Sequence, residues 1–232
     1  MKLVPKSLFW RVLLGFFALI LLYQLWIYLH ILWWINFNPS SSAFMEDRLE
    51  VLQEKRPEAE LKHKWVDYNH ISKNLKRAII AAEDARFNEH EGFDWEGIKK
   101  AYEKNQKKGK IKAGGSTISQ QLAKNLFLSG KRSYLRKGQE AIITYMLEHT
   151  LSKRRILEIY LNVIEWGNGV FGAEAASRHY FKTSAAKLSA WQAAKLAAMV
   201  PNPRFYDDHR NTRFLNRRIN TILRGMPTVE TP

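Results

Sequence analysis

The sequence predicts a mainly α-helical domain carried behind a single membrane-spanning helix. Three observations lead there. From Val12 to Ile35 no residue carries a formal charge, a run of about 24 residues or roughly 36 Å as a helix, enough to span a bilayer with some tilt. Beyond it, segment after segment places apolar residues at helical spacing, opened by Ser or Thr and closed by Gly or Pro. No strand-like alternation of useful length and no internal repeat interrupts that pattern.

Composition narrows the function classes. The 232 residues suit one compact domain plus an attachment, and 46% hydrophobic residues suffice for a core. There is no cysteine, which excludes disulfides and thiolate metal sites. The seven histidines are scattered and form no HExxH. A formal net charge of +15 calls for an anionic partner: nucleic acid, an acidic membrane surface or a phosphorylated substrate.

The chain divides into a basic flank (1–11), a transmembrane helix (12–35), a linker with a membrane-proximal segment (36–62) and a helical domain (63–232). Lys2, Lys6 and Arg11 precede the apolar run, which places the N-terminus in the cytoplasm and the rest outside. Trp10, Trp26, Tyr28, Trp33 and Trp34 cluster toward its ends as an interfacial belt does. The run is too long for a signal-peptide core and no A-x-A site follows it. Asn36–Ala43 reads as a polar linker and Glu46–Lys62 as a charged helix.

The central stretch is Ala78–Asp94, AIIAAEDARFNEHEGFD, read as one helix stopped by Gly92, with Ser72 as N-cap upstream. Ile79, Ile80, Glu83 and Phe87 share a face. A carboxylate there must raise its pKa or find a cation, and either outcome suits a general base or acid. An ordinary surface pairing of Glu83 with Arg86 or Lys76 competes with that reading. Trp95–Asn105 reads as a further short helix. Seven lysines between Lys99 and Lys112 lead into Ala113-Gly114-Gly115, a loop with a cationic, solvated surface.

Ser116–Leu128 restarts a helix, with Ser116 or Thr117 as N-cap. Glycines running into a helix N-terminus form a ready anion site. A Walker A loop is excluded, because Gly115 stands where its lysine belongs and no apolar strand precedes. Lys131, Arg132, Arg136 and Lys137 form a second basic cluster. The helix from about Leu135 to Leu151 places Glu140 near an apolar face of Ile143, Met146, Leu147 and Leu151. Ser152 caps another helix, broken by the glycines of EWGNGVFG. Ala173–Phe181 and Leu188–Val200 are alanine-rich helices, the last ended by Pro201 and Pro203. The basic tail from Arg204 reads as a helix on anionic lipid or a solvated end.

In order, EDARFNEHEGFD, GGSTISQQLAKN, RKGQE, KRRILEIYLN with its glycine-rich continuation, and AASRHYF resemble the motifs of peptidoglycan glycosyltransferase family 51, the transglycosylase module of class A penicillin-binding proteins. They cover about Trp65 to Pro203. EWGNGVFGAEAA resembles the monofunctional biosynthetic branch of that family in Gram-negative bacteria, and no transpeptidase domain with its SxxK, SxN and KTG set is expected. The chain departs from the family at Ser119, where Thr is common, and at Gln139, where some members carry a basic residue.

The resemblance implies a lysozyme-like fold with a small membrane-embedded jaw, in the bacterial inner membrane with a periplasmic domain. It implies polymerisation of lipid II, with release of undecaprenyl diphosphate. Glu83 is then the general base and Glu140 the second catalytic carboxylate. Ser116, Gln120, Lys124, Arg132, Arg136 and Lys137 bind substrate, the cations neutralising the leaving diphosphate. Glu140 organises those cations, or holds Mg²⁺ or Mn²⁺ on the diphosphate. No organic cofactor and no nucleic acid are implied; partners are lipid II, the growing glycan, inner-membrane lipids and divisome or elongation-complex proteins. Two alternatives are a lytic enzyme of the same fold and an inactive scaffold of a wall-synthesis complex.

Overall fold

The protein is described here by a computed structural model covering residues 6–107, 115–128 and 133–232. It forms two compact units, Met1–Asn38 and Pro39–Pro232. The first is built on helix α1, Lys6–Trp33. Within it Leu8–Trp33 has a mean hydropathy of 2.2 and is long and apolar enough to cross a membrane once.

The second unit starts with α2, Ala43–Gln53, capped by Ser42. The helix expected over Glu46–Lys62 therefore stops early, and Lys62–His63 is strand β1 instead. Next comes α3, Lys73–Glu83, whose N-cap Ser72 accepts from the Leu75 N–H at 3.1 Å. Its Leu75, Ala78, Ile79 and Ile80 are buried. The single helix read over Ala78–Asp94 is a misreading: α3 ends at Glu83, and Asp84 is its extended C-cap (φ −163°, ψ 73°). Phe87 still reaches the core from the following turn, fully buried. A buried aromatic on a loop imitates helical spacing when it falls four residues past a helix end.

Four helices follow: α4 (Trp95–Lys107), α5 (Ile118–Phe127), α6 (Tyr134–Thr150) and α7 (Lys153–Val163). Ser133 and Ser152 cap α6 and α7. Helix α5 packs on α2, α6 and α7. The EWGNGVFG segment, whose glycines mark the end of the preceding helix in the sequence, holds strands β2 (Glu165–Gly167) and β3 (Val170–Phe171). With β1 they form a three-stranded sheet in the order β1-β3-β2, β1 parallel and β2 antiparallel to β3. Strands of two or three residues carry no readable alternation, so periodicity could not reveal them. Gly172 has φ +81°, and a Cβ there would lie 2.8 Å from the Asn162 carbonyl oxygen.

The chain closes with α8 (Ala173–Phe181), α9 (Ala190–Met199), α10 (Pro203–Asp208) and α11 (Arg213–Gly225). Ser189 and Gln192 form a capping box on α9. Its fully buried Ala193, Ala194, Ala197 and Ala198 let α3 and α11 approach closely. Helix α11 buries Leu215, Ile219 and Ile222, each worth about 1.5–3 kcal/mol. The basic tail is thus an anchored core helix: its apolar stripe is buried, while Arg213, Arg217 and Arg224 stay exposed.

Candidate active site

Glu83 is the last residue of α3, so its carboxylate is set by helix packing and not by a flexible loop. Its side chain is 11% exposed. Two neighbours hold it. Gln121 on α5 donates from Nε2 to Oε2 at 3.0 Å, and Arg218 on α11 donates from a terminal guanidinium nitrogen to Oε1 at 2.8 Å. Burial pushes the Glu83 carboxyl above the usual carboxylate range, opposed first by the Gln121 hydrogen bond and then by the Arg218 charge, while Asp84 adds to the rise. The cation that contacts it is Arg218, not the Arg86 or Lys76 that the sequence offers. Desolvation raises the pKa despite that cation.

The turn after Glu83 is held at several points. Asp84 is buried. Its Oδ1 pairs with His90 Nε2 at 2.9 Å, and its Oδ2 accepts from the Ile118 N–H, at the start of α5, at 3.0 Å. Thr117 donates its hydroxyl to the Gly92 carbonyl at 2.7 Å. Lys153 Nζ reaches the His90 carbonyl at 2.5 Å and Glu148 at 2.8 Å, and Glu148 also accepts from the Ser119 hydroxyl. Gly92 has φ +89°, and a Cβ there would lie 2.8 Å from Thr144 Cγ2. Helices α5, α6 and α7 all therefore brace the turn that follows Glu83.

The N-terminus of α5 is not the open anion site that the glycine pair suggests. Thr117 is its N-cap, and the Thr117 N–H donates to Gln120 Oε1 at 3.0 Å. The Gln120 N–H donates back to Thr117 Oγ1 at 3.2 Å, and the Ile118 N–H is taken by Asp84. The protein's own groups thus take the N–H groups of Thr117, Ile118 and Gln120. This also corrects the expectation that Gln120 binds substrate: it is 4% exposed and serves the capping box. The neighbouring Gln121 reaches Glu83 instead.

Ser116 is exposed and lines, with Glu83, Asp84, Asp94, Gly97 and Thr117, a cleft of about 230 Å³. Lys124 is half-buried on α5, one helical turn beyond Gln121 and on the same side of the helix. Glu140 is 4% exposed on α6. Its Oε1 accepts from Lys137 Nζ, and its Oε2 lies 3.9 Å from an Arg136 guanidinium nitrogen. Glu140, Arg136 and Lys137 thus form one network, while Glu83 and Ser116 share the cleft. Arg132 lies outside the described residues. With both oxygens of Glu140 facing protein cations, that carboxylate is a poor ligand for a divalent ion. Among the described residues no group of three or more His, Asp or Glu is placed to hold one.

The order of these groups along the chain, and the cleft that Glu83 shares with Ser116, can be set beside known proteins. The family model described as Transglycosylase matches residues 49–227. The chain belongs to the transglycosylase family. Its fold is the mainly helical, lysozyme-like fold of that family, and membership makes it a glycosyl-transferring enzyme. It is 64% identical over 232 residues to the biosynthetic peptidoglycan transglycosylase of Herminiimonas arsenicoxydans, covering 100% of both chains. It is 66% identical over 227 residues to the protein of the same name from Methylobacillus flagellatus, covering 98% of this chain and 99% of that one. The Thiobacillus denitrificans protein of that name is 65% identical over 215 residues, 93% of each chain.

Sequence reasoning did not find Gln121, Arg218 or the Asp84–His90 pair. Asp84 and His90 lie inside the first motif, but their pairing needs the chain to turn at Asp84. Arg218 is 135 positions from Glu83, in a tail whose arginines look alike in the sequence.

Proposed function

We propose that this protein polymerises lipid II into glycan strands at the outer face of the bacterial inner membrane. The observation that carries the proposal is Glu83, a carboxyl with a raised pKa that opens into the same cleft as Ser116. Its ionised form takes the proton of the GlcNAc 4-hydroxyl of lipid II. The freed oxygen attacks the anomeric carbon of the growing chain with inversion. The bond from that carbon to the diphosphate breaks, and the electron pair leaves on undecaprenyl diphosphate. The leaving group needs charge neutralisation more than a proton, which is the role of Lys124, Arg132, Arg136 and Lys137. Ser116 supplies a polar contact from the cleft wall. Glu140 holds Arg136 and Lys137 in place. Mg²⁺ or Mn²⁺ would be held chiefly by the diphosphate, and no step is routed through it.

Lys2, Lys6 and Arg11, ahead of the uncharged run, support a cytoplasmic N-terminus and a periplasmic domain. The anchor keeps the enzyme where its lipid substrate resides, and a net charge of +15 suits both anionic headgroups and diphosphates.

The test is polymerisation of purified lipid II by wild type, Glu83→Gln and Glu140→Gln across pH. Glu83→Gln lowers turnover about a hundredfold or more and removes the acidic limb of the pH–rate profile, with binding of a phosphoglycolipid inhibitor retained. It also melts at or above the wild-type temperature at neutral pH. A carboxyl whose folded pKa is raised contributes stability only while protonated, which is lost as pH rises through that pKa, and Gln mimics the protonated form. Glu140→Gln keeps the limb and weakens inhibitor binding. The opposite pattern reverses the roles of the two glutamates, and cleavage of finished glycan without polymerisation makes the enzyme lytic.

A further inference from the structure

Gln121 touches Glu83 through one end of its amide, and the other end is held from behind. Tyr160, on α7, is fully buried, and its phenol donates to Gln121 Oε1 at 2.9 Å. Gln121 Nε2 then donates to Glu83 Oε2 at 3.0 Å. An amide is nearly symmetric in shape, so its orientation is decided by its partners. A phenol that donates to the oxygen end leaves the N–H end for the carboxylate.

We propose that Tyr160 is a positioning residue for the general base: it locks the Gln121 amide so that a donor, and not an acceptor, faces Glu83. This rests on the reading of Glu83 as the base. Burial pushes the Tyr160 phenol well above its ordinary range, with Glu83 and Asp84 adding to the rise, so it remains a donor throughout the working pH range. Among the described residues, the charged groups acting on Glu83 are Arg218 from α11 and Asp84 from its own chain end, and Asp84 is itself paired with His90. Asp94 also lines the cleft. Tyr160 and Gln121 provide the neutral part of this setting, and they act when Glu83 is ionised. A free amide could turn its oxygen to Glu83, to which only the protonated acid can donate. The lock therefore favours the form of Glu83 able to take a proton, against the burial that disfavours it.

The experiment is the pH–rate profile of lipid II polymerisation by the full chain in membranes, with thermal melting as the check on folding. Glu83→Gln first assigns the acidic limb. In Tyr160→Phe the limb moves to higher pH, read as a roughly three- to tenfold loss of rate at a pH on the limb, with the plateau rate kept. Gln121→Met removes the donor without touching Tyr160 and moves the limb in the same direction. Adding Tyr160→Phe to Gln121→Met moves it no further. A merely structural Tyr160 would lower melting temperature and rate alike at every pH and leave the limb in place. A limb that survives Glu83→Gln overturns the base assignment and this proposal with it. A limb that vanishes in Glu83→Gln but stays put in either Tyr160→Phe or Gln121→Met overturns the proposal alone. So does a Tyr160→Phe shift of equal size in the Gln121→Met background.

Discussion

Replacing Arg218 by methionine keeps the length and much of the volume of the side chain while deleting its charge. In the folded protein Arg218 makes a 2.8 Å bond to Glu83 Oε1, with side-chain exposures of 29% and 11% for the two partners. A hydrogen bond to a charged group is worth about 1.5–3 kcal/mol. Losing it disfavours ionised Glu83 by about ten- to a hundredfold relative to the protonated acid. Since the proton-accepting form is the ionised one, the acidic limb of the pH–rate profile moves to higher pH. Stability follows the same sign. At low pH Glu83 is protonated in both proteins and needs no cation, so the melting temperatures of wild type and Arg218→Met lie closest there. The gap opens as pH rises and a buried, unpaired carboxylate is forced to ionise. The assays are lipid II polymerisation across pH and calorimetric melting at several pH values, from acid to neutral. A limb that stays in place, or a melting gap that is constant with pH, would show that Arg218 serves α11 packing and not Glu83.

Two further predictions concern the proposed diphosphate-binding cations and the turn after Glu83. Lys124→Ala and Arg132→Ala each weaken binding of a diphosphate-bearing donor and of a phosphoglycolipid inhibitor such as moenomycin by about ten- to a hundredfold; unchanged inhibitor affinity in both would remove them from the site. Gly92→Ala forces an L-residue to φ +89° with its Cβ 2.8 Å from Thr144 Cγ2, a strain of about 1–3 kcal/mol. It lowers the melting temperature and turnover together, and a variant that melts like wild type would mean the turn has room to relax.

Local physics made much of this protein legible in its sequence. A charge-free run flanked by base is apolar whatever surrounds it, so α1 could be read without a fold. Ser72, Ser133 and Ser152 cap helices through hydrogen bonds to a backbone N–H three residues on, which is why α3, α6 and α7 start close to where the sequence places them. The family resemblance rested on motif order, which is also a property of the chain alone. It named Glu83, Ser116 and Glu140 as candidate site residues.

What only tertiary structure decided is the environment of Glu83. Its desolvation comes from α3 packing in the core, and its partners come from α5 and α11, Arg218 lying 135 positions away. No periodicity links those positions. The choice between Gln120 and Gln121 was likewise beyond the sequence: two adjacent glutamines differ by about 100° around a helix, and only the packing of α5 turns one into its own cap and the other onto Glu83. The end of α3 at Glu83 was hidden for a related reason. Phe87 keeps helical spacing from Glu83, but the Asp84 carboxylate is fixed by His90 and the start of α5, and these bonds hold the chain in a turn where its pattern would have continued the helix.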